Sequence, residues 1–154
     1  MAFKRLQDFA ALVKFSHTVF LFPFALAAAV LAHRVKPIGL EALALIAAAL
    51  VSARSAAMIM NRLADQGYDA ANPRTADRPL VTGRVSRVQA WAWLAAACGV
   101  FILAAWLLNP LCLALSPAAL AWVLGYSYSK RFTALCHLWL GAAAALAPLG
   151  PGWR

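Results

Sequence analysis

Acidic side chains are scarce in this chain, with five in 154 residues against fourteen lysines and arginines. Charged residues of both signs make up 12%, about half the share of an ordinary soluble domain, while apolar residues reach 64%. Cysteine is scarce too. Cys98, Cys112 and Cys136 all fall in apolar runs, without CxxC spacing and without paired histidines beside them. That argues against a zinc cluster or a disulfide framework and leaves buried thiols. Three long stretches carry no charge at all: Phe15 to His33, Val88 to Ser129 and Phe132 to Trp153. About 20 apolar residues cross the hydrocarbon core, and the second stretch, at 42 residues, is long enough for two passes. A soluble globular domain is excluded, and a polytopic, all-α membrane protein is expected.

What is present is mostly positive. A formal charge of +9 suits nucleic acid in a soluble protein, but here the basic residues cluster between the apolar runs instead of lining one face, so no nucleic-acid partner is expected. Spans are expected at Phe15–Ala32, Leu40–Met60, Val88–Leu108 and Leu111–Tyr128, with a fifth starting near Leu135. The fifth soon meets Pro148, Gly150 and Pro151, so the bundle stops after four to five spans, as if truncated. Asn109-Pro110 separates the third and fourth spans, and Ser116-Pro117 predicts a kink early in the fourth. Ser86 with Gln89 reads as a capping box opening the third. A cleavable leader fits the first span poorly, because His17 and Thr18 interrupt it and Phe20 to Phe24 is rich in aromatics. Lysines and arginines place the amino terminus, a loop at 61–87 and Lys130-Arg131 together on the cytoplasmic side of an inner (plasma) membrane.

Three of the five acids lie in that loop region. At ~100° per residue, Asn61, Asp65 and Asp69 fall within ~80° of one another on a helix and span about 12 Å of its axis. Arg54 shares that face. A charged residue several positions inside a span is costly unless it faces the bundle interior or a wet cavity. An amide and two carboxylates on one stripe offer hard oxygen ligands to Mg2+, and nearby arginines suit an anion such as a diphosphate. Arg62, Arg74 and Arg78 are the candidates for phosphate oxygens, with simple topology signalling as the plainer account. Tyr126 and Lys130 lie one helical turn apart at the end of the fourth span. Lys14 and His17 are similarly spaced on the first, where a packing role is the plainer account. An ordinary solvated stripe would explain the acids in a soluble helix.

The pattern Asn61-x-x-x-Asp65-x-x-x-Asp69, followed by Asn72-Pro-Arg-Thr-Ala-Asp-Arg-Pro-Leu80, resembles the first aspartate-rich motif of the UbiA-type intramembrane aromatic prenyltransferases. Arg54, seven residues before Asn61, fits the same pattern, and Tyr126-Ser-Tyr-Ser-Lys130-Arg131 resembles the family's Tyr-x-x-x-Lys element. The resemblance covers essentially the whole chain but only the amino-terminal half or so of a family member. The second aspartate-rich motif is absent. Asn61-Arg62 with Lys14-Phe-Ser-His17 looks closer to the branch acting on a dihydroxynaphthoate-type acceptor for menaquinone than to the 4-hydroxybenzoate branch of ubiquinone synthesis.

The resemblance implies one transmembrane prenyltransferase domain over 1–154, a helical bundle around a cavity open to the bilayer. It implies Mg2+ held by Asn61, Asp65 and Asp69, with Asp65, Asp69 and Arg54 in catalysis. Arg62, Arg74, Arg78, Tyr126, Lys130, Lys14 and His17 would contact a polyprenyl diphosphate and an aromatic acid. A complete site would need the second half of the enzyme. The competing expectation is a non-enzymatic membrane component, such as a transporter half, in which the same charges form structural pairs.

Overall fold

A computed structural model describes residues 2–13, 22–35 and 37–129. Among these residues the regular elements are all helices: α1 (Ala2–Val13), α2 (Phe22–Val35), α3 (Leu40–Ala71), α4 (Arg87–Leu108) and α5 (Pro110–Ser129). The last three are each long and apolar enough to cross a membrane. The expected first span continues to Val35 as α2, while its beginning at 15–21 and the whole fifth span lie outside the described residues.

The hub is α3, which packs against each of the other four helices. Its 32 residues make a rod about 48 Å long, well beyond the ~30 Å hydrocarbon core. The expected loop at 61–87 is therefore helical over its first part. Nothing between Asn61 and Ala71 breaks a helix, so α3 runs unbroken until Asn72, which precedes Pro73 and takes the extended conformation that a following proline favours (φ −107°, ψ 118°). Residues 73–85 then form a chain of turns, in which Gly83 adopts φ +74°, the left-handed conformation that glycine tolerates best.

The breaks after that segment follow the sequence closely. Ser86 Oγ accepts the Gln89 backbone N–H at 3.1 Å and opens α4. Asn109 ends α4 and caps α5, its Oδ1 accepting the Cys112 N–H at 2.7 Å, with Pro110 in the first helical position. Helix α5 continues through Pro117, the expected kink point. A proline there cannot donate to the Leu113 carbonyl, and the Ser116 hydroxyl donates to it instead at 2.8 Å.

Small residues let the helices approach closely, as in lipid they must. Ala56 on α3 and Ala90 on α4 are both wholly buried, in one cluster with Ile59, Leu63, Leu94 and Ala97. Leu12 and Val13 of α1 enter the same cluster, and so do Leu80 and Val85 of the turn segment. The core thus thickens at the end of the bundle where α3 becomes polar. A smaller cluster of Ala29, Ile38 and Ala42 lies at the α2–α3 turn, where His33 Nδ1 accepts the Ile38 N–H at 2.9 Å.

Candidate functional site

The polar end of α3 places four charged groups within electrostatic range of one another. Arg62 is buried at 6% exposure, and its guanidinium feels the charges of Arg78, Asp69 and Asp65. A cation this deep needs anions beside it, and the two aspartates are one and two turns further along the same helix. Asp69 is also buried, and its carboxylate Oδ2 accepts from Arg78 Nη1 at 2.5 Å. Arg78 belongs to the turn segment, nine residues downstream.

The turn segment is built to deliver Arg78. Asn72 Oδ1 accepts the Arg74 N–H at 3.0 Å, the local loop that asparagine makes at turns. Thr75 Oγ1 donates at 2.8 Å to the Asp69 carbonyl, which also takes the Asn72 N–H at the end of α3. The Arg78 N–H donates to the Thr75 carbonyl at 3.2 Å, and the Arg78 carbonyl accepts from Val81 and Thr82 at 2.9 and 3.0 Å. Beyond it, Leu80 is driven into the core at 3% exposure, and Gln66 Nε2 of α3 donates to the Leu80 carbonyl at 3.0 Å. With its backbone fixed on both sides, the Arg78 side chain folds back onto α3.

A second set of contacts joins this segment to α1. Arg84 donates to the Asp77 carbonyl at 2.8 Å and to Thr82 Oγ1 at 3.2 Å, and its Nη1 lies 3.9 Å from Asp8 Oδ1. Phe9 meets Trp93 of α4 edge to face, with centroids 5.2 Å apart and planes at 87°.

Deeper along α3, Arg54 is half-buried within the apolar part of the bundle, its Nε enclosed without a hydrogen-bond partner. Tyr126 of α5 lies within electrostatic range of it. Arg54, Asn61, Asp65 and Asp69 all lie on the one continuous helix α3, and so does Arg62. Arg78 and Tyr126 reach this helix from two other elements. Arg74 is exposed. Lys14, His17 and Lys130 lie outside the described residues.

The donor set can be weighed against a metal. Among the described residues no group of three His, Cys, Asp or Glu side chains comes together to hold an ion. The stripe offers one amide and two carboxylates, with successive members about 6 Å apart along the helix. Mg2+ keeps several waters and binds through one or two carboxylates plus substrate phosphates, so Asp65 and Asp69 match its habit better than a closed cage would. They fit such an ion in chemistry, with Asp69 already engaged by Arg78.

The sequence reading missed Gln66, Thr75, Asp8 and Phe9 as organisers of the site. For α1 the signal was available, since apolar residues at 3, 6, 9, 10 and 13 mark one helical face. Gln66 and Thr75 act on backbone carbonyls, which no residue pattern reveals.

Comparison with known proteins places these observations. A profile described as the UbiA prenyltransferase family matches residues 20–153. The 4-hydroxybenzoate octaprenyltransferase of Azotobacter vinelandii is 41% identical over 90 residues, covering 58% of this chain and 30% of that protein. The enzyme of the same name from Methylobacillus flagellatus is 41% identical over 96 residues, covering 62% and 32%. The matched segment thus covers about a third of the length of these curated relatives. Among solved structures, the apo form of a UbiA homologue from Aeropyrum pernix superposes with a TM-score of 0.81 at 43% identity, covering 88% of this chain and 49% of that one. A UbiA homologue from Archaeoglobus fulgidus bound to GPP and Mg2+ gives 0.74 at 21% identity, covering 94% and 53%, and shares the fold.

Proposed function

The chain belongs to the UbiA prenyltransferase family, and on that premise we propose that it carries the diphosphate-binding part of a membrane enzyme that transfers a polyprenyl group to a hydroxybenzoate-type acceptor in quinone synthesis. The observation that supports this reading best is the cluster at the end of α3. Asp65 and Asp69 sit there with Arg62 and Arg78, at the point where a membrane-spanning helix leaves its apolar stretch. Hard oxygens beside planar cations suit a metal-bound diphosphate. The acceptor follows the relatives, which are named for 4-hydroxybenzoate. They lend no support to the dihydroxynaphthoate acceptor that Asn61-Arg62 suggested.

In this reading Asn61, Asp65 and Asp69 supply the oxygens for Mg2+, which when bound offsets negative charge on the departing diphosphate. Arg62 and Arg78 hold the diphosphate oxygens and stabilise the charge that grows on them as the allylic C–O bond breaks. Arg54 lies about 10 Å further down α3 from Asn61, within electrostatic range of Tyr126. The acceptor ring attacks the allylic cation and its ring proton is then lost. The cytoplasmic position of the amino terminus and of 61–87 belongs to the same proposal, as does a further acidic wall from beyond these 154 residues. The two carboxylates on the stripe hold one ion loosely, and a diphosphate carries more negative charge than one divalent ion neutralises.

A non-enzymatic membrane component would keep Asp69 and Arg78 as a purely structural pair, so the test removes the neighbouring carboxylate. The chain, joined to the carboxyl-terminal portion of a full-length relative, is assayed in membranes for transfer from a labelled prenyl diphosphate to 4-hydroxybenzoate. Mg2+-dependent transfer that Asp65→Ala abolishes supports the enzyme. Transfer at undiminished rate in both Asp65→Ala and Asp69→Ala would remove the metal site from the reading.

A further inference from the structure

We propose that Arg78 is an exchangeable partner of Asp69, holding the carboxylate oxygen for which a divalent cation competes and passing to the diphosphate when metal and diphosphate arrive together. The inference rests on the reading of Asp65 and Asp69 as metal carboxylates and goes beyond it, because it assigns Arg78 two successive anionic partners.

Three observations carry it. The first is the contact itself: Arg78 Nη1 meets Asp69 Oδ2 at 2.5 Å, with the Asp69 side chain 10% exposed and that of Arg78 24% exposed. A buried carboxylate held this closely is a poor metal ligand until its partner leaves, and Arg78 is the more accessible of the two. The second is the charge balance. Arg62 and Arg78 face Asp65 and Asp69, so the cluster is neutral as it stands. A divalent cation entering alone would displace Arg78 and leave two guanidiniums beside a doubly charged ion. Such an ion enters cheaply only when an anion comes with it.

The third observation is how each arginine is held. Arg62 projects from within α3 and is enclosed at 6% exposure. Arg78 projects from a turn, and its backbone is pinned by Thr75, by the buried Leu80 and by the Gln66 bond to the Leu80 carbonyl. The exchange is therefore a side-chain swing about a fixed backbone and needs no loop rearrangement. A planar guanidinium fork serves a carboxylate and a phosphate equally well, which a lysine does not. Metal and diphosphate are consequently coupled, each strengthening the binding of the other.

The test uses the full 154-residue chain in detergent, with Mn2+ as the metal probe followed by electron paramagnetic resonance and inorganic pyrophosphate as the anion. Wild type should bind Mn2+ weakly, and pyrophosphate should tighten it. Arg78→Gln frees Asp69 from a charge-assisted bond and should tighten Mn2+ alone by about tenfold. The same variant should lose most of the pyrophosphate coupling. Arg78→Lys, which keeps the charge without the fork, should fall between. Opposite changes in metal and pyrophosphate binding cannot come from a merely loosened fold. If Asp65→Asn and Asp69→Asn weaken Mn2+ but Arg78→Gln does not tighten it, the exchange is wrong while the metal reading stands. If neither aspartate variant changes Mn2+ binding, both fall. Loss of Mn2+ and pyrophosphate together in Arg78→Gln, restored in Arg78→Lys, would assign Arg78 to structure alone and overturn the proposal.

Discussion

The side-chain amide of Gln66 donates to the backbone carbonyl of Leu80, fourteen residues away, at 3.0 Å. This bond joins the polar end of α3 to the turn segment two residues after Arg78, so the arginine that meets Asp69 is placed by a neighbour carrying no charge. Its removal should be felt in the segment and not in the spans. Gln66→Ala is expected to cost about 1 kcal/mol of local stability. Hydrogen exchange should then quicken at the amides of Val81, Thr82 and Val85 while α4 keeps its protection. Unchanged exchange at those three amides would show that the bond does not hold the segment.

Asn109 separates α4 from α5 and caps the latter through the Cys112 N–H at 2.7 Å. Asn109→Ala should lower stability by about 1 kcal/mol, and Asn109→Asp, which keeps an accepting oxygen, should recover most of it. Thermal unfolding in detergent reads the order wild type, then aspartate, then alanine. Equal melting temperatures for all three would mean that Pro110 alone starts the helix.

Among the described residues, an ion pair and an aromatic contact of different worth join α1 to the rest, besides the buried Leu12 and Val13. The Asp8–Arg84 pair is long, at 3.9 Å, and Arg84 is half exposed, so its contribution is at most about 1 kcal/mol and is screened by salt. Phe9 packs its ring against Trp93 beside the buried Leu12 and Val13. Phe9→Ala should therefore cost about 3 kcal/mol, several times the effect of Asp8→Asn, and its effect should not change with ionic strength. A larger, salt-sensitive loss from Asp8→Asn would reverse that ranking.

The proposed orientation rests on the distribution of arginine and lysine, and it is open to labelling. Ala71 is exposed at the end of α3, beyond the apolar part of the helix. In a chain whose native cysteines are replaced, Ala71→Cys should resist an impermeant thiol reagent applied from the periplasmic side and react once the membrane is opened. Ready labelling in sealed cells would invert the topology.

Much of this protein is local, and the sequence alone determined it. Apolar length marked the spans of α3, α4 and α5, since a bilayer tolerates unpaired backbone and charge badly. The four-residue spacing of Asn61, Asp65 and Asp69 placed them on one stripe, because helical geometry depends on nothing beyond the helix itself. Ser86 announced its cap, and Asn109-Pro110 the break between α4 and α5, for the same reason. Only the tertiary structure decided which cation answers Asp69. Arg62, Arg74 and Arg78 are equivalent by composition and all lie close in sequence, yet Arg62 is buried in α3, Arg74 is exposed, and Arg78 returns to the carboxylate. That choice depends on where Leu80 finds apolar contact and where Gln66 finds a carbonyl. It depends also on α1, which closes over the same core with Leu12 and Val13. Such contacts join residues far apart in the chain, and their partners are backbone atoms or apolar surfaces that every sequence has. No spacing rule can identify them before the helices have packed.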